Sequence, residues 1–238
     1  EIYNGRKPNE SVKDDVIIYN MSGRPIIAKS ENQRALVSAF ENKDIVFAVG
    51  PAGTGKTYLG IALAVRLLKS KCVKRIILSR PAVEAGEKLG FLPGDMRDKI
   101  DPYLQPLYDA LEDMITSSRL HELIERKVIE IAPLAFMRGR TLSDAVVILD
   151  EAQNTPRSQF RMFITRMGWN TKMIITGDTQ QTDLPRNSSS GLVEALETLS
   201  DIDDIAIVRM SKKDIQRHHL VNKIVAAYER KDETEKNK

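Results

Sequence analysis

Continuous runs of apolar, β-prone residues alternate along the chain with longer segments of helical periodicity. The runs that predict strands span residues 44–49, 75–79, 128–131, 145–149, 172–176 and 204–208. Runs without polar alternation are typical of parallel strands that are buried on both faces. The segments between several of these runs, such as residues 57–70, predict helices. The pattern therefore predicts an α/β fold with a mostly parallel sheet covered by helices on both faces.

The two ends of the chain carry weaker patterns. Residues 1–30 mix charges, Asn, Gly and Pro around one short apolar run at 16–19, which predicts an N-terminal arm with an edge strand or hairpin. Ser30 is a candidate N-cap for a helix that continues to Phe40. A last helix is predicted at 213–230, and the polar residues 231–238 predict a frayed tail. The expected organisation is an arm at 1–30, one domain at 31–230 and a tail at 231–238.

Composition narrows the class of protein without identifying a function. The 238 residues are 42% hydrophobic and 29% charged, which is ordinary for a folded domain. A net charge of +3 does not by itself demand a nucleic-acid partner. The single cysteine, Cys72, favours a reducing, cytoplasmic setting. Because no apolar run approaches the ~18 residues that cross a bilayer, no membrane association is expected. The chain opens at Glu1 rather than Met, so we expect further sequence in front of it.

The strongest chemical signal is the octapeptide GPAGTGKT at residues 50–57, a full match to GxxxxGK[ST]. A predicted strand precedes it and a predicted helix follows, as a phosphate-binding loop (P-loop) requires. Its glycines let the backbone wrap around phosphate oxygens, and the helix N-terminus adds positive field. Lys56 is expected to contact the β- and γ-phosphates and the Thr57 hydroxyl to ligate Mg²⁺. The alternative is a glycine-rich turn that binds nothing. The candidate nucleotide-binding residues of the loop are Gly50, Pro51, Ala52, Gly53, Thr54, Gly55, Lys56 and Thr57.

A second anchor for the metal is predicted at residues 146–151, VVILDE. Four apolar residues of a buried strand deliver carboxylates at its carboxyl end, which is the Walker B pattern. Asp150 is expected to hold Mg²⁺ through water, and Glu151 to polarise the attacking water as a general base. The alternative is that the two acidic residues cap a helix.

The segment IITGDTQQ at residues 174–181 ends another predicted buried strand in a polar cluster. In a sheet of this type the tip of that strand lies close to the γ-phosphate. Thr176, Asp178 and Gln181 are therefore candidates to sense the γ-phosphate or to position water. An ordinary turn is the alternative.

Four segments together resemble the PhoH family of ATPases, which is similar in turn to a single motor domain of superfamily 1 helicases. They are GPAGTGKT at 50–57, SRPAVEAGEKLGFLPGD at 79–95, LDEAQN at 149–154 and TGDTQQTDLP at 176–185. The resemblance covers about residues 30–230. It implies a P-loop NTPase of RecA-like fold that binds and hydrolyses ATP with Mg²⁺.

The resemblance also implies roles outside the loop. Gln33, seventeen residues before Gly50, looks like the glutamine that reads adenine in related helicases, and an exposed helix glutamine is the alternative. Asp178 belongs to a segment similar to helicase motif III. Arg217 lies in RHHL, where the family pattern is RHPL, and is a candidate phosphate-contacting arginine, although His219 departs from that pattern.

Partners follow from the same resemblance. Superfamily 1 helicases close two motor domains around one ATP, whereas this chain has the residues for one. A homo-oligomeric ring such as a hexamer, with ATP between subunits, is therefore implied, and a monomer with a cis arginine is the alternative. Arg80, Arg138 and Arg140 are candidates to track single-stranded RNA, and Arg138 or Arg140 could instead serve a neighbouring subunit as an arginine finger.

The function expected from these signals is that of an RNA-acting, helicase-like ATPase with Lys56, Asp150, Glu151 and Gln181 as catalytic residues. The alternative is a nucleotide-gated switch that binds a protein partner and moves no nucleic acid. The low net charge and the 5% aromatic content favour that alternative, since single-strand tracks often use aromatic stacking. A small-molecule kinase also uses a P-loop, but LDEAQN and GDTQQ have no role in kinase chemistry.

Overall fold

The computed structural model describes residues 16–81, 96–185, 188–216 and most of 220–228. The strands are β1 (Val16–Tyr19), β2 (Pro25–Ile27), β3 (Ile45–Val49), β4 (Arg75–Arg80), β5 (Ile129–Pro133), β6 (Ala145–Leu149), β7 (Lys172–Gly177) and β8 (Ile205–Arg209). The helices are α1 (Glu31–Asn42), α2 (Lys56–Lys69), α3 (Met96–Glu112), α4 (Ser117–Glu125), α5 (Arg157–Ile164) and α6 (Gly191–Thr198). Short 3-10 helices lie at Leu134–Met137, Ala152–Asn154 and Lys212–Asp214.

Strands β3 to β8 form one parallel sheet in the order β5-β4-β6-β7-β3-β8. Each predicted strand is present, with bounds that differ from the prediction by one or two residues. The register aligns the carboxyl ends of the strands, since Val49 lies opposite Gly177 and Ser79 lies opposite Leu149. Residues that follow these strands therefore meet at one edge of the sheet, where ligands bind in open α/β sheets.

Both faces of the sheet are covered because successive residues of a strand point to opposite faces. Val146 and Ile148 pack in one core cluster with residues of α1 to α4, and Val147 and Leu149 pack in a second cluster with residues of α5 and α6. The central strand β6 is buried along its whole length. A parallel sheet, two helical layers and a P-loop at the carboxyl edge confirm the predicted P-loop NTPase fold of RecA-like type.

The short strands β1 and β2 form an antiparallel hairpin that lies outside the main sheet. Ile17, Ile18 and Ile26 are buried and join the core cluster that contains α2. The hairpin is also tied to the end of α3, because the backbone N–H of Met21 donates to the carbonyl oxygen of Asp113 at 2.7 Å. Residues 16–27 thus contribute to the hydrophobic core of the domain.

The boundaries of two predicted helices can be compared with the structure. Ser30 caps α1 as predicted, with its hydroxyl accepting from the backbone N–H of Gln33 at 3.2 Å. The predicted start of the last helix at residue 213 is wrong. A 3-10 turn capped by Ser211 and Asp214 lies there, and Ile215 and Gln216 after it are non-helical. The Gln216 N–H donates to the carbonyl oxygen of Gly53 at 2.9 Å instead of to a helical partner.

None of the helices in the described ranges combines the length and the apolar character that a bilayer crossing needs.

The substitution Ile17→Ala is expected to lower the free energy of unfolding by about 2–5 kcal/mol, because it removes buried methyl and methylene groups from the core. Ile17 is 5% exposed, whereas Tyr19 on the same strand is 58% exposed. Urea denaturation followed by circular dichroism measures both, and Tyr19→Ala as the control should change stability by no more than about 0.5 kcal/mol. Equal, small effects of the two substitutions would mean that the hairpin contributes little to the domain.

Candidate nucleotide-binding site

The loop between β3 and α2 has the backbone conformation that its glycines allow. Gly50, Gly53 and Gly55 have φ of 143°, 79° and 81°, a region that residues with a Cβ rarely adopt. At Gly50 a Cβ would also lie 2.3 Å from the carbonyl oxygen of Met210, so no larger residue fits. Helix α2 begins at Lys56, directly after the loop. Its unpaired N–H groups and positive end therefore face the cleft, as an anion site requires.

The Lys56 ammonium lies inside this loop. Its Nζ donates to the carbonyl oxygens of Gly50 at 2.6 Å and Pro51 at 2.7 Å, and the residue is only 8% exposed. Burial lowers the pKa of Lys56 from its ordinary value, while the nearby carboxylates, that of Asp178 foremost, act in the opposite direction. The loop thus holds a cation among its own carbonyl oxygens, near the carboxylates of Asp178, Glu151 and Asp150.

Asp150, directly after β6, is the most buried carboxylate of the site at 2% exposed. Its Oδ1 accepts hydrogen bonds from the hydroxyls of Thr57 and Thr176, each at 2.6 Å. Its Oδ2 accepts from Nε of Arg80 at 2.8 Å and forms an ion pair with Nη2 of the same residue at 2.6 Å. The Walker B carboxylate therefore joins α2, β7 and β4 at one point.

These residues line one cleft of about 270 Å³ at the carboxyl edge of the sheet. Its lining residues are Ala52, Gly53, Gly55, Lys56, Thr57, Tyr58, Asp150, Glu151, Gln153, Gly177, Asp178 and Gln181. The cleft brings together most of the residues that the three motifs predicted. Tyr58 and Gln153 are additions that the motifs did not single out.

The donor set of the cleft fits Mg²⁺ bound together with phosphate groups. Within the described ranges, no group of three or more His, Cys, Asp or Glu side chains could hold a metal ion. The cleft instead offers the Thr57 hydroxyl and the Asp150 carboxylate, 2.6 Å apart. Mg²⁺ usually takes one or two protein oxygens and completes its octahedron with phosphate oxygens and water. The oxygens present match that requirement.

Comparison with known proteins places the chain in a family. The family model described as PhoH-like protein matches residues 25–229, which is most of the sequence. The chain belongs to the PhoH family. The predicted resemblance is therefore confirmed, and the match begins within the N-terminal hairpin.

Several PhoH relatives are similar over most of this chain. The PhoH-like protein of Bacillus subtilis (strain 168) is 54% identical over 223 residues, which cover 94% of this chain and 70% of the relative. The PhoH-like protein of Mycobacterium tuberculosis (strain ATCC 25618 / H37Rv) is 55% identical over 216 residues, covering 91% and 61%. Protein PhoH of Escherichia coli (strain K12) is 45% identical and covers 86% and 58%. The chain thus spans between 58% and 70% of the length of these relatives.

A more distant likeness is found among solved structures. The Hef helicase domain of Pyrococcus furiosus aligns with a TM-score of 0.45 at 12% identity, covering 77% of this chain and 38% of that one.

Gln153, in the LDEAQN segment of the PhoH chain, connects the two acidic motifs. Its Nε2 donates to Oε2 of Glu151 at 2.6 Å, and its Oε1 accepts from the backbone N–H of Asp178 at 3.0 Å. Gln153 is 4% exposed, and its bond to Asp178 is buried, whereas its bond to Glu151 is partly buried. Glu151 itself is half-exposed at the cleft, with a left-handed φ of 53°. The position of the Glu151 carboxylate therefore depends on Gln153. The sequence signal that could have identified Gln153 is its amide side chain, two residues after Glu151 in LDEAQN.

Gln33 is buried rather than exposed, so the alternative of an exposed helix glutamine is wrong. Its Oε1 accepts from the backbone N–H of Lys29 at 2.7 Å, and its Nε2 donates to the carbonyl oxygen of Thr54 at 2.9 Å. The Gln33 carboxamide thus supports the P-loop from the start of α1. It lies close to Gly55, where an added Cβ would meet Nε2 at 3.1 Å.

The predicted arginines fall into different surroundings. Arg80 lies in the site, whereas Arg138 is exposed beyond the end of β5. Arg140 forms a two-pronged ion pair with Glu130, with Nη2 donating to Oε2 at 2.7 Å, and this bond lowers the pKa of Glu130. Arg217 lies outside the described residues, as does most of the segment at 79–95. Arg80 therefore contacts the cleft residue Asp150, while Arg140 is held by Glu130 near the start of β5.

The substitution Gln153→Leu is expected to lower the free energy of unfolding by about 1–3 kcal/mol, because it leaves the buried N–H of Asp178 without an acceptor. Leucine has nearly the same size, so the change tests the hydrogen bonds more than the packing. Urea denaturation measures the effect, and Gln180→Leu on the exposed side of the same cluster is the matched control. Indistinguishable stabilities for the two variants would contradict the bridging role of Gln153.

Proposed function

We propose that the chain binds ATP together with Mg²⁺ and hydrolyses it to ADP and phosphate. The observation that carries this proposal is the convergence of Lys56, Thr57, Asp150 and Glu151 on one cleft at the carboxyl edge of the sheet. A buried ammonium, a hydroxyl, a buried carboxylate and a half-exposed carboxylate are the groups that phosphoryl transfer to water needs. A loop that merely turned the chain would have no reason to bring them together.

Binding rests on the loop and on the first turn of α2. The inward N–H groups of the loop bind phosphate oxygens, and the Lys56 ammonium offsets the charge of the β- and γ-phosphates. Thr57 and Asp150 are the residues that would hold Mg²⁺. When bound, Mg²⁺ neutralises charge that develops on the phosphate oxygens during transfer. The Lys56 ammonium donates to three oxygens of its own loop, so it would exchange one of these bonds for one to a phosphate.

Hydrolysis requires a base beside the γ-phosphate. Glu151 accepts the proton of a water molecule while the water oxygen bonds to the γ-phosphorus and the bond to the bridging oxygen of ADP breaks. The hydrogen bond from Gln153 to Oε2 of Glu151 fixes this carboxylate, and its exposure leaves it accessible to water. Gln181 lines the same cleft, and Asp178 is linked to Gln153, which supports roles for both in sensing the γ-phosphate.

A preference for adenine is part of the proposal. Gln33 lies beside Thr54 and Gly55, at the side of the loop where α2 begins. To contact the base, its carboxamide would exchange the bond to Lys29 or to Thr54 for one to adenine. Such an exchange would couple base recognition to the shape of the loop.

We further propose that turnover is coupled to single-stranded RNA. Phe136, which is 61% exposed, lies on the 3-10 turn that follows β5 at the same edge of the sheet as the cleft. Leu134 and Met137 anchor that turn in the core, and exposed Arg138 follows it. An aromatic ring that stacks on a base and an arginine that contacts a phosphate are the usual parts of a single-strand track.

Assembly into a homo-oligomeric ring remains part of the proposal. Glu151 is half-exposed and Gln181 is exposed at the open side of the cleft, where a neighbouring subunit could complete the site. Of the three candidate arginines, Arg138 is the exposed one, and it could reach a neighbour's nucleotide. Light scattering after size-exclusion chromatography, with and without a non-hydrolysable ATP analogue, measures the subunit number.

The substitution Lys56→Ala is expected to abolish Mg²⁺-dependent ATP hydrolysis, and Glu151→Gln to retain ATP binding while slowing hydrolysis about 10²–10⁴-fold. Phosphate release measures turnover, and calorimetry measures binding. Lys69→Ala, at the far end of the same helix α2, is the control and should hydrolyse ATP like the wild type. Full activity of Lys56→Ala would refute the site, and full activity of Glu151→Gln would remove Glu151 as the base.

Single-stranded RNA is expected to stimulate ATP hydrolysis, and Phe136→Ala to weaken RNA affinity roughly 5- to 100-fold by removing one stacked base. The stimulation should decline at high salt, since phosphate contacts release counterions. Trp169→Ala provides a matched control, because Trp169 is 90% exposed but precedes β7 at the opposite edge of the sheet. ATP hydrolysis that RNA leaves unchanged would favour the nucleotide-gated protein switch instead.

A further inference from the structure

Arg80, the last residue of β4, directs its guanidinium at the Walker B carboxylates. Nε donates to Oδ2 of Asp150 at 2.8 Å, and Nη2 lies 2.6 Å from the same oxygen in an ion pair. Nη2 also lies 3.7 Å from Oε1 of Glu151. The Arg80 side chain is 18% exposed and that of Asp150 is 2% exposed. Water screens such a pair only weakly, so the attraction between the two charges is strong.

Both oxygens of the Asp150 carboxylate have partners within the chain. A carboxylate offers about four lone-pair directions, two on each oxygen. Oδ1 accepts from Thr57 and Thr176, and Oδ2 accepts from Nε of Arg80 while Nη2 lies 2.6 Å away in an ion pair. Because the guanidinium lies against Oδ2, a metal ion, or a water molecule bound to it, must displace this positive charge to use that oxygen. Arg80 and Mg²⁺ therefore compete for one oxygen.

The same guanidinium connects the site to α3. Nη1 of Arg80 donates to the backbone carbonyl oxygen of Tyr103 at 2.8 Å. Tyr103 lies in the middle of α3, and the end of that helix contacts the N-terminal hairpin through Asp113. A movement of Arg80 away from Asp150 would break this contact or carry α3 with it.

We propose that Arg80 is a built-in counter-cation of Asp150, which Mg²⁺ bound with nucleotide displaces, and that this displacement releases α3. Arg80 is then a positioning residue that acts through Asp150, and the predicted contact with RNA is not needed to explain its position at the end of β4. The inference rests on the proposed function, since it assumes that Asp150 serves Mg²⁺. Its consequence is that a divalent ion alone binds poorly, and that the phosphates of the nucleotide are required to outcompete the arginine.

The test titrates Mn²⁺, a paramagnetic substitute for Mg²⁺, into the protein without nucleotide and follows free Mn²⁺ by electron paramagnetic resonance. Arg80→Ala is expected to bind Mn²⁺ at least about tenfold more tightly than the wild type, because the competing charge is gone. The double variant Arg80→Ala/Asp150→Asn should lose that gain. Arg75→Ala, at the other end of β4, is the matched control and should behave as the wild type. Equal or weaker Mn²⁺ binding by Arg80→Ala would overturn the inference.

Thermal unfolding verifies that each variant is folded, and Arg80→Lys provides a second route if Arg80→Ala is not. Lysine keeps one charge beside Asp150 but cannot supply the two parallel N–H donors of the guanidinium. It should therefore bind Mn²⁺ several-fold more tightly than the wild type, by the same competition. Unchanged affinity in a folded Arg80→Lys protein would also overturn the inference.

Hydrogen exchange of the α3 amides tests the second half of the proposal. Addition of Mg²⁺ with ADP should accelerate exchange in the C-terminal half of α3 in the wild type, whereas folded Arg80→Lys should exchange fast before the addition. Unaltered exchange in the wild type would refute the link to α3. Calorimetry of Mg²⁺ with ATP on the wild type distinguishes failure of the proposed function from failure of this inference. Absence of binding would refute the proposed function. Normal binding, together with no effect of the Arg80 substitutions on Mn²⁺ affinity, would refute this inference alone.

Discussion

The burial of one carboxylate, that of Asp150, is the constraint on which the site depends. A charged group that is 2% exposed is tolerated only when its oxygens are paired, because losing water without replacement costs several kcal/mol. The partners come from three different elements: Thr57 from α2, Thr176 from β7 and Arg80 from β4. The parallel register of the sheet brings them within reach. Packing of the apolar strands and placement of the polar site are thus two results of the same alignment.

The elements that local patterns determine could be predicted from the sequence. The buried strands are uninterrupted apolar runs, so their existence, and their bounds to within two residues, follow from hydrophobicity alone. The P-loop is equally local, because the left-handed conformations at Gly50, Gly53 and Gly55 belong to residues that are neighbours in the chain. Strand order follows less directly. Strand β3 pairs with β7 and β8, which lie far along the chain, and no local pattern specifies those partners.

The hydrogen-bond partners of polar side chains were beyond the reach of local patterns. Arg80 was interpreted as an RNA contact from the family resemblance, but its partner Asp150 is seventy residues away in sequence. Gln33 was a candidate for the adenine, and only the tertiary structure reveals its bond to Thr54. The start of the last helix was wrong for the same reason, since Gln216 gives its N–H to Gly53 and not to its own segment. Hydrogen-bonded pairs that are distant in sequence leave no periodic pattern, so none of these partners could be predicted before the fold was known.

The position of β3 in the sheet has a consequence for synthesis of the chain on the ribosome. The P-loop is made early, yet Gly50 bonds to Gly177, Val49 bonds to Met210, and Gly53 bonds to Gln216. The flanking strands β7 and β8 are the last two of the sheet to be made, so the loop, which ends at Thr57, is synthesised long before β7 begins at Lys172 and β8 begins at Ile205. Contacts between residues so distant in sequence form late. The loop therefore obtains its full set of backbone hydrogen bonds only when the domain is nearly complete.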